Sequence, residues 1–343
     1  MYERSWLQLG DVMGWIAPSD SKKAVKKAGE RIRHGEDADG DLNILNRWRA
    51  AHGYIINTFQ ANLRQRTRGT NIQVGQRLKR ANTIIDKLRQ GRALDLSSMH
   101  DIAGMRLVFS DIPSLNEFRA SFHLSRAKHE MINAVPKYDY IAAPKESGYR
   151  GIHDVYKYKA GTLAGAQWNG LLIELQYRTI VQHAWATAVE LSDVLTANRV
   201  KFSQGEKDHT RFFQICSELL ARKYENSVSC LPDMSHRELV EEWSFLEGRS
   251  HIFRTLGEAG QQGADHDLKG FILLVVPENG SDLRVERHRS YRSAWHELLK
   301  IEREQPTWDV VLVGGSEGES LKSTFRNYFR NATEFIQLVE SAL

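Results

Sequence analysis

The chain has 343 residues, which is long enough for two domains. Of these residues 26% are charged and the formal net charge is +4, a composition that is ordinary for a globular protein. It contains no apolar run of about 18 residues that would predict a membrane span, and its N-terminus lacks the apolar core of a signal peptide. Cys216 and Cys230 are too few for a disulfide framework or a four-ligand zinc site. We therefore expect a cytoplasmic protein with no membrane partner.

Basic residues are concentrated in the first third of the chain. From Arg47 to Arg92 there are eleven lysines and arginines and one acid, Asp86. Such a local excess favours a polyanionic partner, although most basic helices of this kind are simply solvated. The block ends in "QRLKRANTIIDKL", directly before a second polar motif, so we favour phosphate binding here.

The first predicted elements mix helices and strands. Hydrophobic spacing predicts a long amphipathic helix over 42–63 and a shorter helix that ends near Gly91. The strand "GMRLVFSD", the helix "IPSLNEFRASF", the strands "YRGIHDVYKYKA" and "GLLIELQYRT" and the helix "IVQHAWATAVELSDVL" follow. This order predicts an α/β or α+β fold, with a mixed sheet flanked by helices.

A second unit is predicted after two more helices, over 206–226 and 235–258, and the linker "GEAGQQGADHD". Two strands, a helix, a third strand and a terminal helix or pair of helices over 319–343 then predict a small ββαβα domain, with "FRNYF" and "FIQLV" covering its strands. We divide the chain into an N-terminal helical region, a core, a helical extension and a small C-terminal α/β domain, over 1–70, 71–200, 201–258 and 264–343.

The strand "IELQYRT" carries a polar stripe. Because side chains alternate along a strand, Glu174, Gln176 and Arg178 should lie on one face. Such a stripe is costly to bury without a purpose, so it predicts the floor of a polar site, with the solvated face of an edge strand as an equal alternative. Asp101 precedes another strand, where a carboxylate can hold Mg²⁺, although a lone acid there is more often a cap or turn residue.

A loop with lysine, glycine and tyrosine precedes the strand that contains His153. In "YDYIAAPKESGYRGIHDVYKYK", Lys145 suits a phosphate and Tyr149 suits a base. Taken singly, these residues are ordinary surface or packing residues. Their order after Arg77-x-Lys79 and "DIAGMR", and before "IELQYRT", is distinctive.

These four motifs resemble the synthetase domain of the RelA/SpoT family, which makes the alarmones ppGpp and pppGpp. The resemblance covers residues 74–191: "RLKRANTIIDKL" is similar to the family's basic ATP-binding loop, "DIAGMR" to its metal-binding motif, "DYIAAPKESGYRGIH" to its guanine-nucleotide loop and "ELQYRT" to its E-x-Q-x-R-T strand. It implies a nucleotidyltransferase-like fold and a pyrophosphokinase that uses ATP and Mg²⁺ to modify GDP or GTP.

The resemblance also implies a role for each residue. Glu174 and Asp101 would be catalytic and would hold Mg²⁺, with Glu174 as the general base. Arg77, Lys79 and Arg106 would bind ATP. Those implied for the acceptor are Lys145, Tyr149, His153, Gln176 and Arg178.

Three departures from the family pattern lie on the acceptor side. Tyr138 displaces the usual basic residue to Lys137, Gly151-Ile152 replaces Ser-Leu, and Leu191 stands where small synthetases often carry histidine. Some small members are toxins that pyrophosphorylate the tRNA 3′ end, some of them in phage defence. Two alternatives to a pyrophosphokinase that acts on GDP or GTP therefore remain: a toxin that modifies tRNA, and a catalytically silent nucleotide-binding module.

The hydrolase domain of long family members is not expected. "MHD", "IHD" and "DHD" each contain a lone His-Asp dipeptide, without the accompanying metal-binding residues. A synthetase without a hydrolase requires another way to limit its product. The C-terminal domain is therefore predicted to be regulatory and to respond to a protein regulator or antitoxin. The sequence favours no particular oligomeric state.

Overall fold

The computed structural model describes residues 14–125, 128–196, 203–262, 271–276, 284–305, 308–314 and 333–343. The helices of this part are α1 Lys22–His34, α2 Asp39–Arg66, α3 Ala81–Arg89, α4 Ile112–His123, α5 Ile180–Thr196, α6 Ser203–Glu225, α7 His236–Ser250, α8 Ile252–Gln262, α9 Tyr291–Glu304 and α10 over 333–340. The strands are β1 Gln73–Leu78, β2 Ala103–Phe109, β3 Glu130–Met131, β4 Ile152–Lys157, β5 Leu172–Thr179, β6 Phe271–Val276, β7 Arg284–His288 and β8 Asp309–Gly314.

Five strands form the main sheet, in the order β1-β2-β5-β4-β3. The central pair β2 and β5 is parallel, and the neighbouring pairs are antiparallel. The predicted mixed sheet flanked by helices is therefore confirmed. The edge strand β1 is not among the predicted elements, and only its last two residues overlap the predicted basic loop. Its residues alternate between half-buried and exposed, and its apolar face is short.

The long helix α2 covers one face of the main sheet. Its residues Ile55 and Phe59 are fully buried with Met105 of β2 and Leu175 of β5. Because these strand residues alternate with polar ones, the opposite face of β2 and β5 carries the polar side chains. The core thus lies on the α2 side, and the polar stripe lies on the other side.

A second apolar cluster joins the helices α5 to α8 with α10. Phe335 and Val339 of α10 are fully buried there, and Phe335 packs against Phe213 of α6 with ring centroids 5.9 Å apart. The prediction that "FIQLV" covers the strands of the small sheet is therefore wrong. The apolar face of α10 is buried among the helices, while α9 covers the small sheet.

The small sheet has the strand order β7-β6-β8 and is antiparallel throughout. Ala294, Leu298 and Ile301 of α9 are buried against Leu273 and Val275 of β6. Of the predicted terminal helix over 319–343, the part that precedes 333 lies outside the described residues.

The predicted helix over 235–258 is two helices. His251 ends α7 in the left-handed conformation, with φ of 54°, and its N–H donates to the Glu247 carbonyl. The Glu247 carboxylate accepts the N–H groups of Phe253 and Arg254 at 2.8 and 3.1 Å, which caps the start of α8. Because α8 continues to Gln262, the first half of the predicted linker is also helical.

None of the helices in the described ranges is long and apolar enough to cross a membrane.

Candidate active site

The polar stripe of β5 lies on the face of the sheet opposite α2. The Gln176 side-chain amide donates to Glu174 at 2.7 Å, and Nη2 of Arg178 approaches the Gln176 oxygen at 3.4 Å. Glu174 and Arg178 are only 7% and 4% exposed. The stripe is thus a buried polar floor, and the alternative of a solvated edge strand does not hold, because β5 lies between β2 and β4.

Asp101 lies at one end of this floor, two residues before β2. Its Oδ2 accepts the ammonium groups of Lys79 and Lys87 at 2.9 and 2.8 Å. Burial raises the pKa of Asp101, but the two lysines outweigh burial and bring the pKa down to about 2. The carboxylate is therefore ionised and sits between two cations, in a place that suits the phosphates of a nucleotide.

Glu174 occupies the centre of the floor. It is the register partner of Gly104 on β2 and of Val155 on β4. Nδ1 of His153 donates to its Oε1 at 3.0 Å, and Gln176 donates to the other oxygen. Burial raises the pKa of Glu174, but the hydrogen bonds and the charge of His153 lower it to about 2, so Glu174 is an anion at neutral pH.

Tyr149 connects His153 to Arg178. Its hydroxyl shares a 2.6 Å hydrogen bond with Nε2 of His153 and accepts Nε and Nη2 of Arg178 at 3.2 and 3.1 Å. Burial raises the pKa of Tyr149, but the charges of Arg178 and His153 lower it to about 8. Burial lowers the pKa of His153, yet Tyr149 and Glu174 raise it above its ordinary value.

Gly151 makes this arrangement of Tyr149 and Arg178 sterically allowed. Its φ is +150°, and a Cβ there would lie 3.1 Å from the Tyr149 hydroxyl and 3.2 Å from Cγ of Arg178. Serine, the residue usual at this position in the resembling family, would crowd the hydroxyl. The departure in the sequence thus has a local structural reason.

Helix α6 contacts the loop over 144–151, which precedes β4, by two hydrogen bonds. The Ser217 hydroxyl donates to the Gly148 carbonyl at 2.6 Å, and the Gln214 amide donates to the Glu146 carbonyl at 2.7 Å. A Cβ on Gly148 would lie 3.0 Å from Cβ of Ser217, so glycine permits this close approach. The loop presents Lys145, whose ammonium lies 4.3 Å above the Tyr140 ring and 5.2 Å from the Tyr149 ring centroid.

Arg106 and Arg77 complete the cationic groups of the sheet. Arg106 on β2 is the register partner of Gln176, and its Nη2 lies 3.6 Å from Oε1 of Glu190 on α5. Arg77 pairs in register with Gly104 and is exposed. The helix α5 therefore crosses the polar face, and burial together with the charges of Arg106 and Arg178 lowers the pKa of its His183 well below the ordinary value.

Three residues of the site do not appear among those that the sequence singled out. Lys87 binds Asp101, Tyr140 packs against Lys145, and the buried Nδ1 of His100 lacks a hydrogen-bond partner in the described part of the chain. A lysine two turns into a helix and a histidine beside an aspartate carry no distinct signal in one sequence. Only the chain fold brings them to the carboxylates.

The carboxylates of the site match the ligands that Mg²⁺ takes in proteins. Oδ1 of Asp101 is buried without a hydrogen-bond partner in the described structure, and Glu174 is close enough for the two charges to repel. The described ranges contain no cluster of three or more His, Cys, Asp or Glu side chains. Since Mg²⁺ typically takes one or two carboxylates plus substrate phosphates, Asp101 and Glu174 fit a magnesium ion that a nucleotide would help to hold.

A family model described as "Region found in RelA / SpoT proteins" matches residues 76–192, about a third of the chain. Residues 76–192 are a RelA/SpoT region. This confirms the resemblance over 74–191. All the residues to which the resemblance assigns a role lie within this RelA/SpoT region.

Parts of the chain are similar to curated relatives. GTP pyrophosphokinase YjbM of Bacillus subtilis is 31% identical over 113 residues, which are 32% of this chain and 51% of YjbM. The chain thus spans about half the length of YjbM. The uncharacterized protein Rv1366 of Mycobacterium tuberculosis is 27% identical over 253 residues, which are 72% of this chain and 85% of that protein.

Among solved structures, the chain is similar to the small alarmone synthetase 1 from Bacillus subtilis bound to its product pppGpp. The sequence identity is 25% and the TM-score 0.43, and the match covers 51% of this chain and 90% of that chain.

Proposed function

We propose that the protein is an ATP-dependent pyrophosphokinase, which transfers the β,γ-pyrophosphate of ATP to the 3′-hydroxyl of GDP or GTP. The observation that carries this proposal is a pair of ionised carboxylates at the polar floor: Glu174 is buried on β5, and half-buried Asp101 lies two residues before the parallel strand β2. Relation of the RelA/SpoT region to GTP pyrophosphokinases at about 30% identity supports the reaction class.

The ATP side of the site is proposed to be the β1 and β2 half of the sheet. Lys79 and Lys87 would move from Asp101 onto the triphosphate, and Arg77 and Arg106 would add positive charge. Mg²⁺ held by Asp101 and Glu174 would neutralise charge on the transferred phosphates. Phosphoryl transfer depends mainly on such positioning and charge neutralisation, so cations and carboxylates are the residue types that it needs.

The acceptor side is proposed to be the β5 and β4 half. Arg178 and Lys145 would bind the acceptor phosphates, and the Tyr149 ring would stack on the base. Gln176 and His153 hold the Glu174 carboxylate in place by hydrogen bonds from either side. This division places the two nucleotides on neighbouring strands, with Glu174 between them.

Glu174 is proposed as the acceptor of the hydroxyl proton. The 3′-oxygen attacks the β-phosphorus, the bond from that phosphorus to the α,β-bridging oxygen breaks, and AMP leaves with that oxygen. The proton goes to Glu174 and from there to solvent. With a pKa near 2, Glu174 is ionised at neutral pH, as a proton acceptor must be, and it holds the proton only briefly.

Substitution Glu174→Gln tests this role. An amide keeps the shape of the side chain but cannot take the proton, so we expect AMP release to fall by at least about a hundredfold. Glu117→Gln, an exposed residue of α4, is the matched control and should turn over normally. Normal turnover of a folded Glu174→Gln protein would show that Glu174 is not the base.

The tRNA 3′ end is a second candidate acceptor. Lys22, Lys23, Lys26 and Lys27 are exposed on α1, which packs against α2 and α3. A basic surface of this kind suits a nucleic-acid backbone. Label from ATP that appears on tRNA and not on GDP or GTP would favour this reading, and no AMP formation at all would favour a silent nucleotide-binding module.

We also propose that the chain comprises an N-terminal helical region, a synthetase core, a helical extension and a C-terminal unit. The core is proposed to have a nucleotidyltransferase-like fold. We propose that the C-terminal unit responds to a protein regulator or antitoxin. Trp295 of α9 is buried in the core on the α2 side of the sheet, so a regulator bound to the C-terminal unit would act on the site from the side opposite the polar face.

A further inference from the structure

The helix α9 belongs to two cores at once. Ala294 and Leu298 face the small sheet, whereas Trp295, only 3% exposed, is buried in the main core. A Cβ on Gly53 of α2 would lie 3.0 Å from the Trp295 ring, so the helix surface and the ring are in close contact. The C-terminal unit is thus seated on α2 by a large, well-packed side chain.

Two turns after Trp295, on the same face of α9, Glu302 meets a buried arginine. Arg49 of α2 is 1% exposed, and both oxygens of Glu302 accept its guanidinium: Nη1 donates to Oε2, and Nη2 donates to Oε1 at 3.1 Å. This pair joins residues 253 positions apart. A bidentate arginine–carboxylate pair fixes both distance and orientation.

The third nitrogen of the Arg49 guanidinium, Nε, contacts the backbone of the proposed ATP site. This Nε donates to the carbonyl of Lys79 at 2.6 Å. The N–H of Lys79 donates to the Ile102 carbonyl at 2.8 Å, and its ammonium binds Asp101. Glu302, Arg49, Lys79 and Asp101 therefore form one continuous chain of polar contacts, from the C-terminal unit to the carboxylate of the site.

We propose that Glu302 is a positioning residue of the ATP site, acting through Arg49 on the turn between β1 and α3. The inference rests on the proposed function, because it concerns how ATP is held. With Glu302 in place, the Arg49 guanidinium is fixed and the Lys79 carbonyl is held. When α9 moves or Glu302 is neutralised, Arg49 reorients and Lys79 loses its set position.

The test measures binding rather than turnover, on the full chain. The ligands are the ATP analogue AMPCPP with Mg²⁺, and GDP, each titrated calorimetrically into the wild type and the variants Glu302→Gln and Glu302→Asp. Glu297→Gln is the matched control, because Glu297 lies on the same helix but pairs with Lys300 at 3.1 Å, away from α2. Thermal unfolding of each protein is recorded in parallel.

We expect Glu302→Gln to weaken AMPCPP binding about tenfold, since small misplacements of a binding group have large effects. Glu302→Asp, which keeps the charge, should weaken AMPCPP binding less. The affinity for GDP should stay unchanged in both Glu302 variants. Equal loss of both ligands would indicate a merely structural role, and unchanged AMPCPP affinity in both folded variants would also overturn the inference. Wild-type protein that binds neither ligand would instead contradict the proposed function.

Discussion

Substitution of Tyr149 tests whether the acceptor and ATP halves of the site are distinct, because it should affect binding of the acceptor only. Tyr149→Ala removes the ring, which lies beneath the Lys145 ammonium at 5.2 Å and the Arg178 guanidinium at 5.1 Å. A base stacked on an aromatic side chain is worth roughly 1–3 kcal/mol in single-strand nucleic-acid sites, so the acceptor KM should rise about tenfold or more. The ATP KM should stay unchanged, because Lys79 and Asp101 lie on the other half of the sheet.

Tyr149→Phe is the matched control, because it keeps the ring and removes only the hydroxyl. Buried Arg178 and half-buried His153 then lose a shared partner, so the free energy of unfolding should fall by about 2–3 kcal/mol, whereas the acceptor KM should change less than about threefold. The assay is AMP release against each substrate in turn, with urea unfolding of both variants. Equal increases of both KM values in Tyr149→Ala would refute the stacking assignment, and an equal acceptor defect in Tyr149→Phe would assign the effect to the hydroxyl.

Three further outcomes are expected. Gly151→Ser should lower acceptor affinity, because its side chain would crowd the Tyr149 hydroxyl at the 3.1 Å position; wild-type affinity on calorimetry would contradict this. Because the folded pKa values of Asp101 and Glu174, about 2, lie below those of the unfolded chain, their contribution of about 2–3 kcal/mol each is present above pH ~4.5 and lost towards pH 2. Urea unfolding between these pH values measures that loss, which should be smaller in the Asp101→Asn, Glu174→Gln double variant but not absent, because the pKa values of Asp41 and Asp111 are also lowered. Deleting 263–343 should lower Tm by about 10 °C or more, because it strips buried aromatic and aliphatic side chains from both main clusters; an unchanged Tm in differential scanning calorimetry would refute the packing.

The polar floor was predictable because it depends on local periodicity. Alternation along β5 predicts that Glu174 and Gln176 share a face, and that face is polar in the structure. The long helix α2 and the strands β2, β4 and β5 follow from the same kind of signal. Their apolar residues are numerous enough to fix which face is buried.

The remaining features depend on contacts between distant segments. The edge strand β1 has too few apolar residues to be told from a basic loop, and the break at His251 depends on a carboxylate from the preceding helix turn. The pair of Arg49 and Glu302 and the burial of Phe335 among the helices require the fold itself. No spacing along the chain predicts them, because each partner is an ordinary residue of an amphipathic helix.

The most direct test of the pyrophosphokinase proposal is a single incubation of the full chain with ATP labelled at the γ-phosphate, Mg²⁺, GDP, GTP and bulk tRNA, followed by separation of the products. The proposal predicts label on a guanosine nucleotide with a 3′-pyrophosphate, together with an equal amount of AMP, and neither product in the Glu174→Gln protein. Label on tRNA alone would contradict the proposed acceptor. Release of labelled inorganic phosphate with ADP, or no consumption of ATP, would contradict pyrophosphate transfer itself.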